Sequence, residues 1–302
     1  MTIAAATRSE APPVTIDRPD PSLPILHATG CTEIAIRAGT TITVASFPDA
    51  AIVTSFPEDD LVTLPDLIPG EDYGVRLGDD GQPFASLLGP ENPLDAGWIG
   101  GFHYAPGGNA TGRAGGDTTP AINPCSIWDR DFRPACPDPR GMALVEMGEA
   151  RFWVDIYLLG VQHERNGTSR CGATIADGNS LSRLNYRDAV DIYARHGKRL
   201  LTYDEFRVAA FGVTEKSAPP RHPKTTGLDA PRTSRFGLMQ ATGNLWQWGT
   251  DGDPDDPRAS WFGGSWMSGS FAGSRFALLG GWGGDSSGLL SARGACDHLH
   301  PE

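Results

Sequence analysis

Gly243-Asn-Leu-Trp-Gln-Trp248 and, after an acidic loop, Gly263-Gly-Ser-Trp-Met-Ser-Gly-Ser-Phe-Ala-Gly-Ser-Arg-Phe-Ala-Leu-Leu-Gly-Gly-Trp-Gly-Gly-Asp-Ser-Ser-Gly-Leu-Leu-Ser-Ala-Arg-Gly294 decide how the chain folds. Gly243-Asn244 is a turn signal, and the two-residue period of a strand puts Trp246 and Trp248 on one face. Two adjacent indoles bury a large area, so they predict a core anchor. A sugar-stacking platform would instead need both rings exposed. The second stretch has the glycine and serine content of a linker. It also carries Trp266, Phe271, Phe276, Leu278, Leu279, Trp282, Leu289 and Leu290, which a linker would not. Small residues interleaved with aromatics and few charges are the composition of a recognition loop, with a glycine-looped core as the alternative.

The 302 residues include 38 Gly and 25 Pro, which argues against a helical bundle because both are costly inside helices. The length suffices for a sizeable core in one large or two ordinary domains. Asp and Glu number 37 against 25 Lys and Arg, a net charge of -12, which excludes nucleic acid as the default partner. No apolar run is long enough to insert in a membrane, and Met1 to Pro24 has no apolar segment of a secretion signal. The five cysteines are too scattered for a disulfide scaffold. Cys125 and Cys136 are the one candidate bridge, and reduced thiols are the expectation without an export signal.

Three zones follow from composition. Residues 1–24 read as a flexible or extended lead-in. Residues 25–96 alternate short β-type segments, such as Thr32–Arg37, Thr41–Ala45 and Tyr73–Leu77, with turns, and predict a small all-β domain. Within residues 97–302, the Gly/Thr-rich stretch Ala105–Pro120 reads as an interdomain linker or an ordered loop laid across the next domain, with the loop favoured, and Phe152–Leu158 as a buried strand. Two helices follow. Tyr186 to His196 places Ala189, Val190, Tyr193 and Ala194 on one face and stops at Gly197. The next opens with Thr202 and Glu205 in capping-box spacing and ends at Gly212. Two helices in an irregular β framework predict an α+β fold.

Other candidate sites are weaker. Asp251-Gly-Asp-Pro-Asp-Asp256 is the one candidate for a hard cation such as Ca²⁺, but it lacks the Gly and Glu of a hand-type loop, so a solvated turn is favoured. His298-Leu-His300 lacks the further ligands of a zinc site and reads as a surface tail. Adjacent strand residues point apart, so Cys296-Asp-His298 is not a nucleophile constellation. No nucleophile elbow, phosphate-binding loop or dinucleotide fingerprint is present.

Several segments together resemble a known family. Lys198-Arg-Leu-Leu-Thr-Tyr-Asp-Glu-Phe-Arg-Val-Ala-Ala210, Gly243–Trp248 (with Gln247 where that pattern has an acid), Gly263–Trp266 and Ser291-Ala-Arg-Gly294 are similar to the C-type lectin fold in its formylglycine-generating branch. Ile99–Asn109, Gly115–Asn123, Cys136–Gly141, Asp155–Gly160 and Ala292–Leu299 resemble, more narrowly, the variable proteins of diversity-generating retroelements. The resemblance implies a C-type lectin fold over 97–302, preceded by a β domain for attachment or assembly. It implies binding without chemistry or cofactor, at a phage or prophage tail tip. The partner implied is a protein or glycan on a cell surface. Attachment to the tail through the N-terminal domain and a homotrimer are the assemblies expected. A formylglycine-generating oxidase would need a cysteine pair in the last strands, where this chain has only Cys296.

In that family the C-terminal stretch is rewritten by copying a template with mutagenised adenines, which here points to about 263–295. The residues implied to form the variable face are Ser268, Phe271, Phe276, Leu278, Gly280, Gly281, Asp285, Ser287, Gly288 and Leu289. An AAC codon with randomised adenines can encode each of them. Trp282 is added for its place among them, although such a codon encodes neither Trp nor Met. If the face is buried, a non-binding structural role replaces this reading.

Overall fold

A computed structural model describes residues 13–46, 50–94, 97–181, 183–251 and 259–299. The chain opens with short strands: β1 (Val14–Asp17), β2 (Leu26–Gly30), β3 (Glu33–Ile36), β4 (Thr40–Ser46), β5 (Ala50–Phe56), β6 (Asp60–Leu61), β7 (Glu71–Leu77), β8 (Pro83–Leu87), β9 (Gly100–Ala105), β10 (Ala121–Ile122) and β11 (Trp128–Asp129). They form the sheets β1-β4-β5 and β2-β3-β6, and a five-stranded sheet in which β7, β10 and β11 all pair with β9. Ile25, Ile34, Ile36, Ile42, Tyr73, Val75, Phe102 and Ile127 fill the core between them.

Two expectations are corrected here. The 1–24 lead-in contains β1, paired with β4, and Arg18 reaches Asp129 at 2.8 Å and Asp131 at 3.0 Å. Asp129 is fully buried and must be paired, so the contact holds this segment down. The other correction concerns the boundary at 96/97, which falls inside one sheet because β7 and β9 are neighbours. Gly and Pro between strands signal turns, not a change of domain, and that misplaced the division. Residues 105–120 are an ordered loop whose Ala110, Gly115 and Gly116 N–H groups donate to Ser234, Gly212 and Ala230.

The remainder contains β12 (Met142–Met147), β13 (Ala150–Asp155), α1 (His163–Asn166), α2 (Tyr186–Arg195), β14 (Arg199–Leu200), α3 (Tyr203–Ala209), β15 (Trp246–Thr250), β16 (Ala259–Phe262), β17 (Ala277–Gly281), β18 (Leu290–Ala292) and β19 (Gly294–Asp297). They make two four-stranded sheets, β12-β13-β19-β14 and β17-β16-β15-β18, with β15 and β18 parallel. The described residues are mostly β with few helices, so the α+β expectation overstated the helical share.

Both long helices start where side chains satisfy the free N–H groups. Asn185 with Asp188, and Thr202 with Glu205, form reciprocal capping boxes. On α2 the buried face is Ala189, Ile192 and Tyr193, whereas Val190 and Ala194 are exposed. The i, i+3, i+4 stripe from Ala189 selects Ile192 and Tyr193 and leaves Val190 a third of a turn away.

The C-terminal end is also corrected. β19 lies inside its sheet, and His298 is buried, accepting a hydrogen bond from Trp153 Nε1 at 2.9 Å and packing edge-on to Phe132. His298 is therefore core, not surface tail, while His300 lies outside the described residues. The five cysteines are free thiols. Cys125 does not bridge Cys136, and burial pushes its thiol up to about 11.

His163 on α1 and His196 after α2 face each other, with Nδ1 and Nε2 3.3 Å apart. Burial lowers both pKa values below the ordinary 6.5. The charges of Lys198 and His163 push His196 further down, and Arg195 adds to the shift at His163 against Glu164. A lowered histidine pKa means the unfolded chain binds more protons in the window just below 6.5. Stability present above that value is then lost as pH falls through the folded values. Thermal midpoints are expected to decline from pH 7 to pH 5.5, and His163→Gln with His196→Gln should flatten that slope. An unchanged slope in the double variant would contradict the assignment.

Candidate ligand-binding face

The frame beneath the candidate face is built around Arg293, which is 1% exposed. Its five N–H donors have five acceptors. Nε donates to Gln247 Oε1 at 3.0 Å, Nη1 to the carbonyls of Asp155 at 2.7 Å and Ile156 at 2.6 Å, and Nη2 to Met239 at 2.7 Å and Gln240 at 3.3 Å. Burial lowers its pKa to about 10, against the opposing charge of Asp155, so the guanidinium stays protonated at neutral pH. Asp155 in turn accepts from Lys198 Nζ at 2.6 Å, Thr168 Oγ1 at 2.7 Å and Gly294 N at 3.3 Å. Gln247, in the place of an acid, donates its amide to Ala241 O at 2.8 Å, a bond a carboxylate could not make.

Trp248 is 1% exposed and lies edge-on to Trp261, while Trp246 is half-buried. The two indoles of the 246–248 strand are therefore a core anchor. Gly249 belongs to the same packing, because a Cβ there would stand 1.9 Å from the Phe262 ring.

Residues 263–276 are held by their backbone. Gly243 N donates to Gly263 O, Trp266 N to Asn244 O, Gly263 N to Phe276 O and Gly273 N to Gly263 O, at 2.8–3.1 Å. Tyr203 Oη donates to Arg275 O at 3.0 Å, and the Glu215 carboxylate accepts from Ser274 N and Oγ. Residues 283–289 are held likewise. Tyr186 N donates to Gly283 O, Gly178 N to Ser287 O and Trp246 N to Leu289 O, at 2.9–3.1 Å. His222 Nε2 lies 2.8 Å from Gly288 O. Main-chain partners do not depend on which side chain the segment carries.

None of the eleven candidate residues is buried. Phe271 is 71%, Trp282 73% and Leu278 49% exposed. Gly280 is exposed too, and the other seven are half-buried. β17 is an edge strand, and a bulge opposite Ala259/Ser260 falls at Gly280, whose φ is +85°. A side chain is sterically free there but strained by that backbone, whereas a Cβ at Gly288 would require the Asn179 side chain to move. Phe271 and Phe276 meet edge-on, with ring centroids 6.2 Å apart. Leu278 pairs with Trp261 and shares its side of the sheet. Ser268 differs from the others because its hydroxyl turns inward and accepts from Ser265 N at 2.9 Å.

Two further side chains of this stretch are exposed: Met267, set aside because an AAC-type codon cannot encode it, and Leu279, which was missed. Leu279 leaves β17 on the side opposite Leu278. An edge strand leaves both sides open, and the sequence signal for that is the Leu-Leu pair running into Gly280-Gly281. The acidic loop lies outside the described residues apart from Asp251. Among the described residues no three His, Cys, Asp or Glu side chains are placed to hold a metal ion, and no helix is long and apolar enough to cross a membrane.

Comparison with known proteins places this geometry. The tail fiber receptor-binding protein of Bordetella phage BPP-1 is 37% identical over 327 residues, covering 93% of this chain and 84% of that protein. The chain belongs to the Major Tropism Determinant family. Residues 24–129, from β2 to β11, match the model of the Mtd second domain. Solved structures of the Major Tropism Determinant I1 and M1 variants both superpose with a TM-score of 0.85 at 36% identity. They cover 95% and 96% of this chain and 86% and 87% of theirs. The family is that of variable proteins of diversity-generating retroelements with a C-type lectin fold.

Frame and face should separate energetically. Trp248→Ala and Arg293→Met are each expected to cost about 3–5 kcal/mol, through a cavity and through orphaned buried acceptors respectively. Trp282→Ala and Leu278→Asn should stay within about 0.5 kcal/mol. Urea denaturation reads both, and comparable losses at Trp248 and Trp282 would contradict the separation.

Proposed function

We propose that this chain is the receptor-binding protein of a phage tail, and that it presents on residues 268–289 a surface rewritten by a diversity-generating retroelement. The observation that carries the reading is the division of labour in this segment. The carbonyls of Gly283, Ser287 and Leu289 are bound by Tyr186, Gly178 and Trp246, and β17 pairs with β16, while Phe271, Leu278 and Trp282 stand in solvent. Exposed aromatic and aliphatic side chains on a rigid backbone are what a protein interface uses as anchors. A non-binding structural role would have these rings packed, and Phe271 is not.

The partner is a protein or glycan receptor on the host cell surface. Contact through Phe271, Leu278 and Trp282 requires no cofactor and no chemistry at the site. In this reading a small all-β part precedes the lectin fold and attaches the protein to the virion tail, with three copies assembling as a homotrimer.

Phage or particles carrying Phe271→Ala or Trp282→Ala are expected to lose about tenfold or more in adsorption to their host. Ile68→Ala, exposed on the N-terminal part, should leave adsorption unchanged. Equal adsorption by all three variants would refute the proposed face. Sequencing of the flanking DNA tests the diversification separately, with a reverse transcriptase gene and a near-identical repeat differing mainly at adenines as the expected finding.

A further inference from the structure

Cys136 and Cys296 are far apart in sequence and adjacent in the fold. Pro134 and His298 form an antiparallel bridge, with Ala135 N donating to Asp297 O at 2.9 Å and Leu299 N donating to Arg133 O at 2.8 Å. That pattern makes Pro134 and His298 a non-hydrogen-bonded pair. Continued two residues along each chain, that register brings Cys136 beside Cys296, and Cα atoms of such a pair approach to about 4.5 Å, the short end of what a disulfide spans.

The two thiols stand on segments joined through Ala135 and Asp297, and each shifts the titration of the other. Both lie in the buried cluster of Trp128, Phe132, Met142 and Trp153, where Cys136 Sγ is 3.4 Å from Met142 Sδ. The frame around Arg293 uses neither thiol, and the candidate face lies on the other C-terminal sheet.

We propose that Cys136 and Cys296 form a disulfide site, closed by a low-molecular-weight disulfide, that ties the C-terminal strand to the 134–136 segment. The Cys296 thiolate attacks the small disulfide, forming a mixed disulfide and releasing one thiol. Cys136 then gives up its proton and attacks the Cys296 sulfur, expelling the second thiol. Two protein thiols are oxidised and one small disulfide is reduced to two thiols, so protons and electrons balance. The environment assigns the order. The neighbouring Cys136 and the Lys198 ammonium hold the Cys296 thiol below the ordinary range against its burial, whereas the neighbouring Cys296 and burial raise Cys136.

The consequence concerns the face. β19 follows β18 directly, so a bond at Cys296 fastens the downstream end of the 263–295 segment to a part of the chain outside it. It leaves every face side chain free. The site is independent of any receptor, and its test reads nothing about binding.

The reduced full-length chain is incubated with oxidised glutathione, once in its native state and once during refolding, then quenched in acid, unfolded, alkylated and mapped without reduction. The expected product is a Cys136–Cys296 linked peptide about 2 Da lighter than its reduced parts. The thermal midpoint should be raised by about 5–10 °C and restored by a phosphine reductant. Cys125→Ser should keep the link and Cys136→Ser abolish it. Five alkylated thiols under both regimes, a link to another cysteine, or a link that leaves the midpoint unchanged would overturn the proposal.

Discussion

A guanidinium taken out of water keeps its charge only if each N–H finds an acceptor, and Arg293 finds all five inside the protein. Four of the acceptors are main-chain carbonyls, two where β13 ends and two on the turn at Met239 and Gln240, and the fifth is the Gln247 side chain of β15. Three pieces of chain must therefore converge on one side chain that comes directly after β18. Leaving any of them out would strand a buried polar group at a cost of about 1–3 kcal/mol. The Asp155–Lys198–Thr168 cluster adjoins this knot and ties in β14 through one of the chain's three lysines.

This arrangement lets the surface above it vary. Residues 263–289 leave the frame after β16 and return to it at β18, and between those points their backbone bonds run to Asn244, Tyr203, Glu215, Tyr186 and Trp246. A side chain change at Leu278 or Trp282 removes none of these backbone bonds. Affinity then depends on the few exposed rings, which contribute most when a partner surrounds and desolvates them. The bulge at Gly280 also interrupts the edge strand, which discourages edge-to-edge pairing between copies of so apolar a strand.

Much of this was legible in the residues. The Thr202–Glu205 capping box and the burial of Trp248 follow from local spacing, and the family resemblance located the exposed segment. What was not legible is long-range. Arg293 and Gln247 read only as parts of motifs, because nothing local says that a guanidinium will be buried. His298 looked like a tail residue because the strand that buries it, β13, lies far back in the chain. The boundary at residue 96 failed for the same reason, since β7 and β9 pair across it. Val190 was misassigned by taking neighbours where helical geometry selects Ile192. Leu279 was missed because strand alternation predicts one exposed side, and an edge strand has two.

The account claims that the frame, and not the face, determines the backbone of residues 263–295. Amide hydrogen exchange tests this most directly, comparing the natural chain with one in which Phe271, Phe276, Leu278, Trp282 and Leu289 are all replaced by serine. The account predicts unchanged protection in β15, β18 and β19 and in the Gly263 and Trp266 amides. Loss of protection across these strands in the replaced chain would mean that the exposed side chains hold the fold, and would contradict it.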